Sequence, residues 1–108
     1  MITVDTTTLS SIINQCFANS MDGRFTDQEQ SAFLLDGKRL RGSLINLLSA
    51  QFNDGTQAVL DANDTLSTIN TSLSNSATLL ANKAQTLNAI STLVGTLDQV
   101  LTLAASFV

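Results

Sequence analysis

Histidine, proline, tryptophan and tyrosine are all missing from this chain of 108 residues, and cysteine occurs once. Without histidine there is no side chain whose ordinary titration sits near neutral pH, and the commonest metal ligand is gone. A lone cysteine with no histidine cannot form the thiol–imidazole pair of a cysteine nucleophile, nor an intrachain disulfide. Without proline, the strongest helix breaker is missing from every position. Charge is also scarce, with nine acids against five bases and a net charge of −4. Phosphate binding needs a concentrated basic surface, so nucleic acid is excluded as the main partner. A phosphate-cradling G-x-x-x-x-G-K-[ST] loop is missing too. Asp61 and Asp64 share a helix face at i, i+3, but two acids near a helix start are ordinary complements of its dipole. The sequence therefore offers no catalytic residue, no cofactor site and no metal site, and the expectation is a protein that is not an enzyme.

Leu, Ala, Ser, Thr and Asn dominate, and their periodicity is helical throughout. An all-α single domain over residues 1–108 follows, with helices expected at about 5–20, 26–52 and 56–107. The cluster Asp5-Thr6-Thr7-Thr8 supplies capping side chains for the first helix. On that helix Leu9, Ile12, Ile13, Cys16 and Phe17 form an apolar face, which makes Cys16 a buried thiol. Asp22-Gly23 marks a turn. Thr26 and Glu29 have the spacing of a capping box, and Phe25 is placed to staple the second helix start. Phe33, Leu34, Leu40, Leu44, Ile45, Leu47, Leu48 and Phe52 continue that helix as one apolar face. Gly37 and Gly42 interrupt it, marking either a close helix approach or a kink. Asn53-Asp54-Gly55 is the second turn.

From residue 59 to 108 an apolar side chain recurs every seven residues: Val59, Leu66, Leu73, Leu80, Leu87, Val94, Leu101, Val108. Such a row is the seam of a helix packed along other helices. A second row, Ala62, Ile69, Ser76, Lys83, Ile90, Leu97 and Ala104, runs beside it. The expected fold is a helical hairpin or three-helix bundle with a long, coiled-coil-like C-terminal helix. The alternative is a closed four-helix bundle with a break near Asn70–Ser76, where helix propensity is poor. A continuous helix would be roughly 80 Å long against about 39 Å for the second helix, leaving the apolar stripe beyond Lys83 uncovered. The expected interaction seam is therefore Leu80, Leu87, Ile90, Leu93, Val94, Leu97, Val100, Leu101, Ala104 and Val108.

Three resemblances bear on function. Residues 18–29 resemble the twelve-residue calcium loop of EF-hand proteins, with Asp22, Gly23 and Glu29 in matching places. Ala18 stands where the first carboxylate belongs, so the expectation is a structural turn. Gly37-Lys38-Arg39-Leu40-Arg41 resembles the diphosphate-contacting segment of prenyl diphosphate synthases. The aspartate-rich motif of that family is missing, and a solvated helix face accounts for the same residues. In composition the C-terminal half is similar to flagellin terminal helices and secretion-needle subunits. From Thr56 onward only Asp61, Asp64, Lys83 and Asp98 carry charge, which suits multi-helix assembly.

The function expected from sequence is that of a non-enzymatic structural or protein–protein interaction module. It would self-associate as a homo-oligomer, or dock a helical protein partner, through the C-terminal seam. The alternative is a membrane-active, pore-forming subunit inserting through Leu87–Val108, although that stretch is too polar for an ordinary spanning helix. The start, Met-Ile-Thr-Val-Asp, lacks the features of a secretory signal. A cytoplasmic location is expected, or export without a cleavable signal peptide.

Overall fold

The computed structural model describes residues 4–49 and 57–105, with side chains left undescribed at 49, 58 and 103–105. All regular structure among them is helical: α1 Thr6–Asn19, α2 Asp27–Ser49, α3 Gln57–Ser74, α4 Ser76–Ala81 and α5 Lys83–Ala105. Local chemistry explains the starts. Asp5 caps α1, its Oδ1 accepting from the Thr8 amide at 3.0 Å and its Oδ2 from the Thr8 hydroxyl at 2.7 Å. The capping box forms at α2, where the Thr26 amide donates to Glu29 Oε1 at 2.8 Å and the Glu29 amide to Thr26 Oγ1 at 3.2 Å. Phe25 is buried and meets Phe33 edge-on, ring centroids 5.0 Å apart, which fixes the entry of α2. The expected second turn at residues 53–55 lies outside the described residues.

The single C-terminal helix expected over 56–107 does not form. Asn75 adopts extended backbone (φ −113°, ψ 103°) and caps α4, its Oδ1 accepting from the Thr78 amide at 3.1 Å. Asn82 leaves helical geometry again (φ −128°, ψ 36°), and its carbonyl accepts from the Thr86 amide. Asparagine competes for backbone groups in this way because its side chain is short and doubly polar. The alternative architecture, a closed bundle broken near Asn70–Ser76, is the one observed.

Four long helices stand at the corners of a square. α1 packs on α2 and α3, and α5 packs on α2 and α3, while α2 and α3 share no contact among the described residues. Directions follow from the cross-links. Gly37 of α2 lies against Cys16 and Phe17 near the end of α1, whereas Leu44 and Leu48 share a groove with Thr6 and Ser10 near its start. These two helices are therefore antiparallel. Lys83 at the start of α5 reaches Glu29 at the start of α2, so those two run parallel. The Asp5 amide donates to Asn63 Oδ1 at 2.7 Å, which sets α1 parallel to α3. The bundle measures 44 × 20 × 19 Å.

The break lets the chain cover its own apolar rows. Val59, Leu66 and Leu73 of the seven-residue row are core residues in α3. From α4 onward the row slips to the core edge, and Leu80, Leu87, Val94 and Leu101 are half-buried. The interior passes to Thr86, Ile90, Leu93, Leu97 and Val100, spaced 4-3-4-3 on α5. Full burial of each apolar member contributes about 1.5–3 kcal/mol. That burial adds to the few tenths of a kcal/mol per residue by which Asn75 and Asn82 already disfavour a continuous helix relative to Ala. Closure wins over continuity.

Candidate functional site

The calcium-like run is a turn whose carboxylates already have partners. Asp22 accepts from the Arg24 amide at 3.0 Å and from its guanidinium at 2.7 Å. Those hydrogen bonds hold the Asp22 carboxyl down to about 2. Glu29, which would be the last calcium ligand, takes the Thr26 amide and then Lys83 at 3.2 Å, and both lower its pKa in that order. Gln30 Nε2 closes the turn on the Asp22 carbonyl at 2.7 Å. Cys16 is fully buried, and burial, with the Asp36 charge as a second cause, pushes its thiol up to about 12. It has neither the exposure nor the acidity of a reactive thiol. Among the described residues, no group of three or more Cys, Asp or Glu is placed to hold a metal ion.

Within the bundle the described part of the expected interaction seam faces the chain's own core. Ile90, Leu93 and Leu97 are 0% exposed and Val100 is 1% exposed, so these four belong to the chain's own interior. Leu80, Leu87, Val94 and Leu101 line the core edge and offer water only part of each side chain. The Ala104 side chain and Val108 lie outside the described residues. The physical reason is the turn through Asn75 and Asn82, which brings α5 back between α2 and α3 instead of extending it into solvent. Among the described residues, no helix is long and apolar enough to cross a membrane.

Among the described residues, four of the six exposed large apolar side chains lie on α2, where one inward face had been expected; the other two are Met21 and Leu60. Leu34, Leu35, Ile45 and Leu48 are exposed, Ile45 at 57% and Leu48 at 67%. The inner face of this helix is carried by Phe33, Leu40 and Leu47, one every seven residues. Leu34, Lys38, Arg41, Ile45 and Leu48 follow one another at spacings of four and three. At 100° per residue they fall within an outward arc of about 80°. Apolar side chains thus occupy both ends of the stripe and cations its middle.

Its electrostatics are set by how the five bases are used. Arg24 pairs with Asp22 and Lys83 with Glu29, which leaves Lys38, Arg39 and Arg41 outside any ion pair among the described residues. The Arg41 guanidinium carbon lies 5.9 Å from the Phe17 ring centroid, a cation–π contact made by a residue that is still exposed. Beside the stripe, Leu44 and Leu48 floor a shallow groove of about 420 Å³ walled by Thr6, Thr7, Ser10, Ser11 and Asn14 of α1. Small hydroxyl side chains there leave room for an incoming apolar knob.

No protein-family model, curated protein or solved structure matches this chain. Reading the sequence as a single apolar face on α2 missed this stripe. The signal was present: two interleaved seven-residue rows, Phe33/Leu40/Leu47 and Leu34/Arg41/Leu48, are too wide for one buried face, and only the second contains a base.

Proposed function

We propose that this chain is a non-enzymatic helical interaction module that self-associates through the outer face of α2, a surface equally suited to a helical protein partner. The observation that carries the reading is the exposed stripe from Leu34 to Leu48, apolar at its ends and basic at its centre. Grouped exposed apolar residues of this kind mark interaction sites more often than scattered ones do. The spacing of the stripe is that of a helix offering a seam to another helix. The non-enzymatic part is supported by a sequence without histidine and by a single thiol that is buried and hard to ionise.

The test is an amide NMR concentration series, from micromolar to millimolar protein. Concentration-dependent shifts are expected to cluster on residues 34–48, and Leu34→Asp with Leu48→Asp is expected to abolish them. These side chains are exposed, so the variant should melt within a few degrees of the parent, as surface changes near ±0.5 kcal/mol do. Unchanged α2 resonances across the whole series would overturn the reading.

A further inference from the structure

Unpaired positive charge is concentrated on this bundle, while exposed acids are spread over α2, α3 and α5. The three bases left over from ion pairing all lie on α2 between residues 38 and 41. Across the bundle, the outer face of α3 carries Asp61 and Asp64, both exposed, next to Leu60, which is 37% exposed. One Asp61 oxygen accepts from Gln57 Nε2 at 2.8 Å, while Thr65 and Thr68 donate to backbone carbonyls, not to the two carboxylates. The inward side of α3 is Val59, Ala62, Leu66, Ile69 and Leu73, so the acids point away from the core. α2 and α3 stand at diagonal corners of the square. Their outer faces therefore look in opposite directions.

We propose that copies of this chain associate head to tail, the basic–apolar outer face of α2 on one copy seating against the acidic outer face of α3 on the next. This rests on the reading of the α2 face as a self-association surface and names its partner. Lys38 and Arg41 meet Asp61 and Asp64, and Leu60 packs against one apolar end of the α2 stripe. A symmetric α2-on-α2 contact centred on the same two bases would set like charges against each other, which disfavours it. Because the two patches differ and lie on opposite sides, the contact is heterologous. It leaves a free α2 face at one end of every open assembly and a free α3 face at the other. Association then propagates into open chains unless the rotation between copies closes a ring. An anionic lipid surface offers the same complement to α2, but the net charge of −4 opposes its approach and leaves the α3 acids unused.

The experiment is a charge swap read by light scattering and by NMR. Wild-type mass is expected to rise with protein concentration and to fall back as salt is added. Lys38→Glu with Arg41→Glu is expected to stay monomeric, as is Asp61→Lys with Asp64→Lys, because each alone puts like charges in contact. Mixed in equal amounts, the two variants regain complementary faces, and mass should recover. If a reversal fails to fold by circular dichroism, the neutral pairs Lys38→Gln/Arg41→Gln and Asp61→Asn/Asp64→Asn must each lower the mass. Should α2 resonances shift with concentration while α3 resonances stay still, and Asp61→Lys/Asp64→Lys leave the mass unchanged, the α3 assignment is overturned and self-association through α2 survives. A wild type that stays monomeric and sediments with phosphatidylserine vesicles would overturn both in favour of a membrane surface.

Discussion

Asp36 is a carboxylate placed where its chemistry does not favour it. It is 7% exposed on the inward side of α2, and burial raises its carboxyl above the ordinary carboxylate range against a smaller lowering by Arg39. A folded pKa above the unfolded one means that the ionised form weighs against folding at neutral pH. That penalty fades as pH falls through the folded pKa. Asp36→Asn is therefore expected to raise the melting temperature at neutral pH, with the gain shrinking on acidification through the carboxylate range. Thermal melts of both proteins across pH check it, and a variant that melts lower at neutral pH would show that the carboxylate is a needed partner. Sequence alone placed Cys16 correctly, because its neighbours Leu9, Ile12 and Ile13 declare the apolar face. It was silent on Asp36, since one acid among Phe33, Gly37 and Leu40 reads the same whether its carboxyl reaches water or not.

At the scale of elements, Gly37 and Gly42 separate two readings that the sequence left open. A Cβ at Gly37 would stand 3.1 Å from Phe17 Cε1 and 3.2 Å from Cys16 Cβ, whereas one at Gly42 would meet nothing within 4 Å. Gly37 is the close approach of α1 to α2, and Gly42 is an exposed helix position with no packing duty. Gly42→Ala is expected to stabilise by about 0.5–1 kcal/mol through helix propensity. Gly37→Ala should forfeit that gain, since the Phe17 ring and Cys16 must give way. Urea unfolding of the pair checks both, and equal gains would show that the α1–α2 contact is looser than described. Helix starts were legible because caps are local: Asp5, Thr26 and Glu29 act within three residues of themselves. The break at Asn75 was only half legible. Its polar run signalled weakness, yet the seven-residue spacing passes through undisturbed, because Leu80 and Leu87 are still partly covered at the core edge.

For the whole molecule, the decisive point is where the apolar rows of the C-terminal half find cover. A periodic row states that a helix packs against something but not whether that something is its own chain. Helix lengths pointed outward because one unbroken helix outruns α2. Breaking it at Asn75 and Asn82 gives α2 and α5 23 residues each, and α5 then fits between α2 and α3. The candidate surface moved for the same reason, from the seam of α5 to the outer face of α2, where Leu34 and Leu48 flank Lys38 and Arg41. Native-state hydrogen exchange at the amides of Ile90, Leu93, Leu97 and Val100, measured across a dilution series, tests this most directly. A row closed within the chain should keep the same strong protection at every concentration, up to the limit set by global unfolding. Protection that is weak in dilute solution and grows with protein concentration would contradict it, and would return the α5 seam to the surface as an oligomer contact.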